Sequence, residues 1–167
     1  MDIEDLARRG IVLPQAPSPT ANYVALRREG RILHLAGNDP IDAQGRLMTG
    51  VVGMDIDADA ARRHARLVGL NLLAVAAAAA GGLDRVAVVT VVALVRCTPD
   101  FDHRDRVADG CSDLFVEALG ERGRHARSVA GLPGLCDGMT VEIEAIMRIA
   151  DPDDAADDHA MRSSSQS

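Results

Sequence analysis

The chain has 167 residues, is 47% hydrophobic and 26% charged, and carries a formal net charge of -7. That is the balance of one soluble domain with a real core, and the acidic excess counts against nucleic acid as the main partner, since phosphate backbones repel it. Aromatic residues make up 2% of the chain and lysine is absent, which excludes base-stacking platforms, a Schiff-base lysine and a P-loop lysine.

Cys97, Cys111 and Cys136 are odd in number, far apart and without a CxxC pair, so they read as reduced structural thiols. His34, His64, His103, His125 and His159 show no HxH or HExxH spacing, so no metal site is expected, and no cofactor is expected either. The opening MDIEDLARRG lacks the apolar stretch of a signal peptide. The longest apolar run, LNLLAVAAAAA, is too short to span a bilayer, so no membrane association and a cytoplasmic location are expected.

In chain order, residues 2–9 predict a short amphipathic helix, capped by Asp2 and closed by Gly10. Three prolines keep 14–22 irregular. Residues 23–37 read as two short strands around a Glu29-Gly30 turn. Residues 38–50 form a loop with a brief strand near 47–51. Asp57 or Asp59 caps a long helix ending at Gly81-Gly82, with Ala61, His64, Leu67, Val68, Asn71, Leu72 and Val75 as its inward stripe. The alanines at 76–80 read as helix filler. Residues 85–96 are almost continuously β-branched, which predicts a central strand covered on both faces.

An acidic loop, 99–105, leads into a second helix over 105–119 with Val107, Leu114, Phe115 and Leu119 inward. Strands follow at about 126–131 and 140–150. The acidic, Ser-rich tail 151–167 is expected to be disordered, leaving one domain over 1–150 with residues 1–10 as an N-terminal helical extension. The order is α+β, with two helices packed on one face of a mixed sheet. In the last strand Val141, Ile143, Ala145, Met147 and Ile149 face the helices. Glu142, Glu144, Ile146 and Arg148 face the other way, with no helix left to cover them. Such a face predicts a homo-oligomer with sites at subunit boundaries.

Arg127 and Glu142 stand fifteen positions apart on what read as adjoining strands. One explanation is an ion pair of Arg127 with Glu142 or Glu144 on a solvated face. The other is a site in which one charge holds an anion and the other handles a water.

The segments ANYVALRREGRILHLAGNDP, AGGLDRV, TPDF, GERGRHARSVAG and TVEIEAI, in that order over roughly residues 10–150, resemble the Rid family. These are the YjgF-like reactive intermediate deaminases, and the likeness is greatest to the subgroup labelled chorismate-mutase-like or endoribonuclease-like. The resemblance implies a chorismate-mutase-like α+β fold, a homotrimer around a central barrel, and a cleft at each subunit interface. It implies that Arg127 binds a substrate carboxylate and that Glu142 positions the water that attacks a C=N carbon. Tyr23, thirteen residues before Ala36, and the turn Ala36-Gly37-Asn38 complete the cleft by the same resemblance. Departures are Ala36 for the family's serine, Asp109 for a pocket-closing asparagine, Val129 for a frequent cysteine, and Leu135-Cys136 for the usual LP. The reading is a hydrolytic deaminase of small enamine or imine carboxylates. The alternatives are a trimer that binds a carboxylate metabolite without turnover, or an endoribonuclease-like activity.

Overall fold

The computed structural model describes residues 3–19 and 21–150. The expected Asp2 cap and the 151–167 tail lie outside them. The elements are α1 (Ile3–Arg8), β1 (Leu26–Glu29), β2 (Ile32–Asn38), α2 (Ala58–Ala80), β3 (Val86–Arg96), α3 (Arg104–Leu119), β4 (Ala126–Leu132) and β5 (Val141–Ile149). Short 3-10 turns at Gly120–Gly123 and Cys136–Gly138 lead into β4 and β5.

The strands form one sheet in the order β1-β2-β5-β3-β4, with β3 and β4 parallel and the other pairs antiparallel. Helices α2 and α3 cover one face, as the pattern of alternating residues required. Val141, Ile143, Ala145, Met147 and Ile149 are all buried beneath them. The β1–β2 hairpin turns at Gly30-Arg31, one residue later than expected, because Glu29 and Ile32 still pair.

Asp57, not Asp59, caps α2: its Oδ1 accepts from the Ala60 N–H at 2.7 Å. Asp59 instead accepts from Arg106 Nη2 at 2.8 Å and ties α2 to α3. The helix ends at Gly81 with φ 74°, a left-handed closure that favours glycine. Its buried stripe passes through Ala65 and Leu73, while His64 and Leu67 of the expected stripe are half-buried. Ala76 and Ala77 are buried, so part of the alanine run is packing surface rather than filler.

Three further expectations are corrected. No strand forms at 47–51. The backbone there makes only isolated bridges, Ile41 with Leu47, Thr49 with Met139, and Val52 with Ile56 and Cys97, because Asp55 Oδ2 accepts the Val51 N–H and bends the chain. Strand β3 is central in the sheet but buried on one face only. Thr90, Val92 and Leu94 on its other face are half-buried. The strands bearing Arg127 and Glu142 are not neighbours, because β3 lies between β4 and β5.

Residues before β1 add to the core. Leu6 and Ile11 are fully buried, and Arg9 Nη2 donates to the Glu117 carbonyl of α3 at 2.5 Å. Burying two such side chains contributes about 1.5–3 kcal/mol each. Helices α2 and α3 approach closely through two glycines. A Cβ at Gly69 would stand 2.9 Å from Leu114 Cδ2, and one at Gly110 would stand on the Arg62 carbonyl, 2.9 Å from its carbon. Backbone cannot yield as a side-chain tip does. Gly110→Ala is therefore expected to destabilise the chain by about 1–3 kcal/mol, read as a lower midpoint in urea unfolding.

Candidate functional site

The irregular segment before β1 folds back over the end of β2. Pro17, Ser18, Pro19, Tyr23, Ala36, Gly37, Asn38 and Asp39 line a small cavity of about 60 Å³ with Asn71 at its base. Four residues expected from the sequence, Tyr23, Ala36, Gly37 and Asn38, thus come together. Asn71 of α2 holds the turn in place: its Nδ2 donates to the carbonyls of Asp39 at 3.0 Å and Ile41 at 3.3 Å. Asn38 Nδ2 donates to the Ala36 carbonyl at 2.9 Å, across the irregular register between Leu35 and Asn38.

Glu142 joins this group from β5. A Cβ on Gly37 would stand on Glu142 Oε1 and 2.9 Å from its Cδ, so the absence of a side chain at Gly37 is what admits the carboxylate. Burial raises the Glu142 pKa above the ordinary 4.5, and the negative charges of Asp39 and Glu144 raise it further. Asp39 is raised as well, by burial and then by Asp137.

Arg127 lies elsewhere. On β4 it is level with Val91, which is level with Ala145 on β5, and both partners face the helices. Glu142 is level with Leu94, three positions along β3 and therefore on the opposite face. Two strand spacings and three residues of rise separate their Cα atoms by roughly 14 Å. One chain does not bring the pair together, and neither Glu142 nor Glu144 is the arginine's partner.

The partners are on α3. Arg127 Nη1 donates to Asp109 Oδ1 at 2.8 Å and to Ser112 Oγ at 3.0 Å, and Nη2 donates to Asp105 Oδ1 at 3.2 Å. Ser112 in turn sits 3.0 Å from His125 Nε2, while His125 Nδ1 is 2.6 Å from the Gly123 carbonyl. The carbonyl requires the proton on Nδ1, so Nε2 accepts from the Ser112 hydroxyl. Burial, the larger cause, and the Arg127 charge hold the His125 pKa below its ordinary value, and the Gly123 carbonyl opposes them. Ser112, Asp113, Val116, Arg124, His125 and Arg127 line an open groove of about 280 Å³. Val129, level with Ala93, packs half-buried against the core beside it. Cys136 is exposed, and all three cysteines are free thiols.

Asp39, Asp105 and Ser112 were missed from the sequence. Asp105, Asp109 and Ser112 follow the i, i+4, i+7 spacing of one helix face, a signal that was available. Among the described residues no cluster of three His, Cys, Asp or Glu is placed to hold a metal ion, and no helix is long and apolar enough to cross a membrane.

The family model described as Endoribonuclease L-PSP matches residues 13–149. The chain belongs to this family, the YjgF/Rid proteins. It is the family that the sequence motifs resemble, and the mixed α+β sheet is its fold. The chain is 37% identical over 147 residues to Protein TCP17 of Trypanosoma cruzi, covering 87% of this chain and 92% of that protein. The solved structure of Atu1372 from Agrobacterium tumefaciens, a protein of unknown function, is 36% identical with a TM-score of 0.80, covering 88% of this chain and 92% of that one. RidA from an Antarctic Psychrobacter is 24% identical with a TM-score of 0.58, covering 81% and 94%, a likeness of fold alone.

The placement of Glu142 makes a prediction. Gly37→Ala should leave the chain folded, since only the tip of a flexible side chain must move, and should push the Glu142 carboxyl toward solvent. Carboxyl NMR titration should then show the Glu142 midpoint above 4.5 in the wild type and lower in Gly37→Ala.

Proposed function

We propose that this YjgF/Rid chain is a hydrolytic deaminase of small reactive imines and enamines, acting at clefts between copies of the chain in a homotrimer. The products are ammonia and a carbonyl compound, a keto acid where the substrate carries a carboxylate. The observation that carries this reading is Glu142, a half-buried carboxylate of raised pKa laid over Gly37 beside the Tyr23 cavity. A carboxylate tuned upward accepts a proton from water and returns it within one cycle, which is what C=N hydrolysis asks of its base.

In the reaction, water adds to the carbon of a protonated C=N. The C–O bond forms, one water proton passes to Glu142, and the π pair moves to nitrogen. Glu142 returns the proton to the nitrogen of the resulting carbinolamine. The C–N bond then breaks with its pair on nitrogen, the hydroxyl proton passes to the departing ammonia, and C=O and ammonium remain. An enamine enters after protonation at carbon, which gives the same protonated C=N.

A cavity of about 60 Å³ is well below the size of ordinary small-molecule pockets, so one chain does not enclose a metabolite there. The Arg127 groove is on the other side of the sheet. For both to serve one substrate, the groove of one copy must meet the Glu142 cavity of another. The uncovered sheet face and the exposed Tyr23, Val24 and Val89 supply surface for that association. The free thiols go with a reducing, cytoplasmic setting.

RNA cleavage, which the family description names, is disfavoured by the net charge of -7 and by an acidic surround at Glu142 that repels phosphate. A carboxylate-binding trimer without turnover is the reading left if no imine is hydrolysed.

Glu142→Gln should lower kcat/KM for ammonia release from an enzymatically generated imine by about 10²–10⁴-fold while leaving product binding intact. In the wild type the activity should fall on the acid side through a pKa above 4.5, because the base must be ionised. Glu144→Gln removes a neighbouring negative charge, so that acid limb should move to lower pH. Light scattering should return three times the chain mass, and a monomer that still hydrolyses imines would refute the shared cleft.

A further inference from the structure

The deaminase reading leaves the substrate's charge open, and the surroundings of Arg127 bear on it. On the deaminase reading above, we propose that the cleft takes imines and enamines that carry no carboxylate, neutral or cationic, rather than anionic 2-imino acids.

An arginine that captures a carboxylate must offer both its charge and its fork of N–H donors. Here much of both is spent inside the chain. Asp109 and Ser112 take the two Nη1 hydrogens, and Asp105 takes one from Nη2. The guanidinium side chain is only 20% exposed, so its pairing with Asp109 at 2.8 Å is less screened than a surface pair. Asp105 is 80% exposed and contributes less, yet it lies on the solvent side, where a ligand would approach. Arg127 stands against two carboxylates, and the groove's other arginine, Arg124, is paired with Glu121 at 3.1 Å, so the cluster lacks the net positive field that draws an anion in. An arriving carboxylate would meet attraction from one centre and repulsion from two at similar range.

The other half of the cleft is no more hospitable to an anion. Asp39 is the one charged residue among those lining the Tyr23 cavity, and none of them is basic. Burial first, and then the negative charges of Asp39 and Glu144 on Glu142 and of Asp137 on Asp39, raise these two carboxyls, so the surroundings are acidic. Ala36 adds no hydroxyl donor. The same surroundings favour a protonated iminium, which gains from the carboxylates and from the face of Tyr23. Ser112 and His125 then act as positioning residues, holding the guanidinium against α3.

The test separates charge preference from turnover. Binding of 2-oxobutyrate and of its uncharged amide is measured by calorimetry on the full chain and on the Asp105→Asn/Asp109→Asn double variant. The proposal expects the wild type to bind the amide at least as tightly as the acid. It expects the double variant, with Arg127 released, to bind the acid tenfold or more tightly than the wild type does. A wild type that prefers the acid tenfold overturns it, as does a double variant whose affinity for the acid is unchanged, including the case in which neither protein binds either compound. In parallel, ammonia release is followed for an imine made by an amine oxidase and for one made by an amino acid oxidase. Faster hydrolysis of the amine-derived imine supports the proposal, and faster hydrolysis of the 2-imino acid overturns it. Expected binding with no ammonia release from either imine would refute the deaminase reading alone and leave the charge preference standing.

Discussion

The position of β3 between β4 and β5 is the constraint from which the site follows. A parallel β3–β4 pair requires a crossover, and α3 supplies it, so α3 packs beside the strand it delivers. Arg127 therefore emerges on the helix side of the sheet edge, within reach of Asp105, Asp109 and Ser112. The antiparallel β3–β5 pair sets Glu142 level with Leu94, three positions from the level of Arg127 and so on the opposite face. With side chains alternating along a strand, an odd offset cannot bring the two charges onto one surface. Completing a site with both requires a second copy.

The same architecture explains why the two halves differ in character. The β2 end is built by close approach. Gly37 has no side chain, Asn71 fastens the turn after it, and Glu142 lies in the space this leaves, half out of water. Desolvation and nearby like charges then raise the pKa of Glu142. The α3 side is built by pairing. Arg127 is held by two carboxylates and a serine, and the serine is oriented by a histidine whose other nitrogen is bound to backbone. One half gathers carboxyls of raised pKa, and the other pairs its arginine with carboxylates.

Much of the fold was legible because its signals are local. The alternation in 141–149 named the buried face residue by residue, Asp57 or Asp59 and Gly81 marked the ends of α2, and the β-branched run marked β3. What failed was whatever depended on partners distant in sequence. Residues 47–51 have the composition of a strand, but Asp55 claims the Val51 N–H as the chain turns just beyond, and the segment keeps only isolated bridges. The run 86–96 looks buried on both faces, yet nothing in the chain covers its second one. The alanines at 76 and 77 look like filler and are contact surface, because burial depends on what arrives opposite them.

The sequence by itself determined the order of the main elements, the inward face of β5, the family, and the candidate site residues Arg127, Glu142, Tyr23 and the Ala36-Gly37-Asn38 turn. The first two are properties of spacing along the chain, which periodicity and capping chemistry express directly, and the family and its candidate residues follow from the resemblance of its motifs. Only the tertiary structure decided which of those residues meet. Strand order is set by pairing between segments far apart in sequence, and it placed β3 between the two charges that the sequence had seemed to join. The helix packed against β4 then decided that the arginine's partners would be Asp109 and Asp105 rather than a glutamate of the neighbouring run.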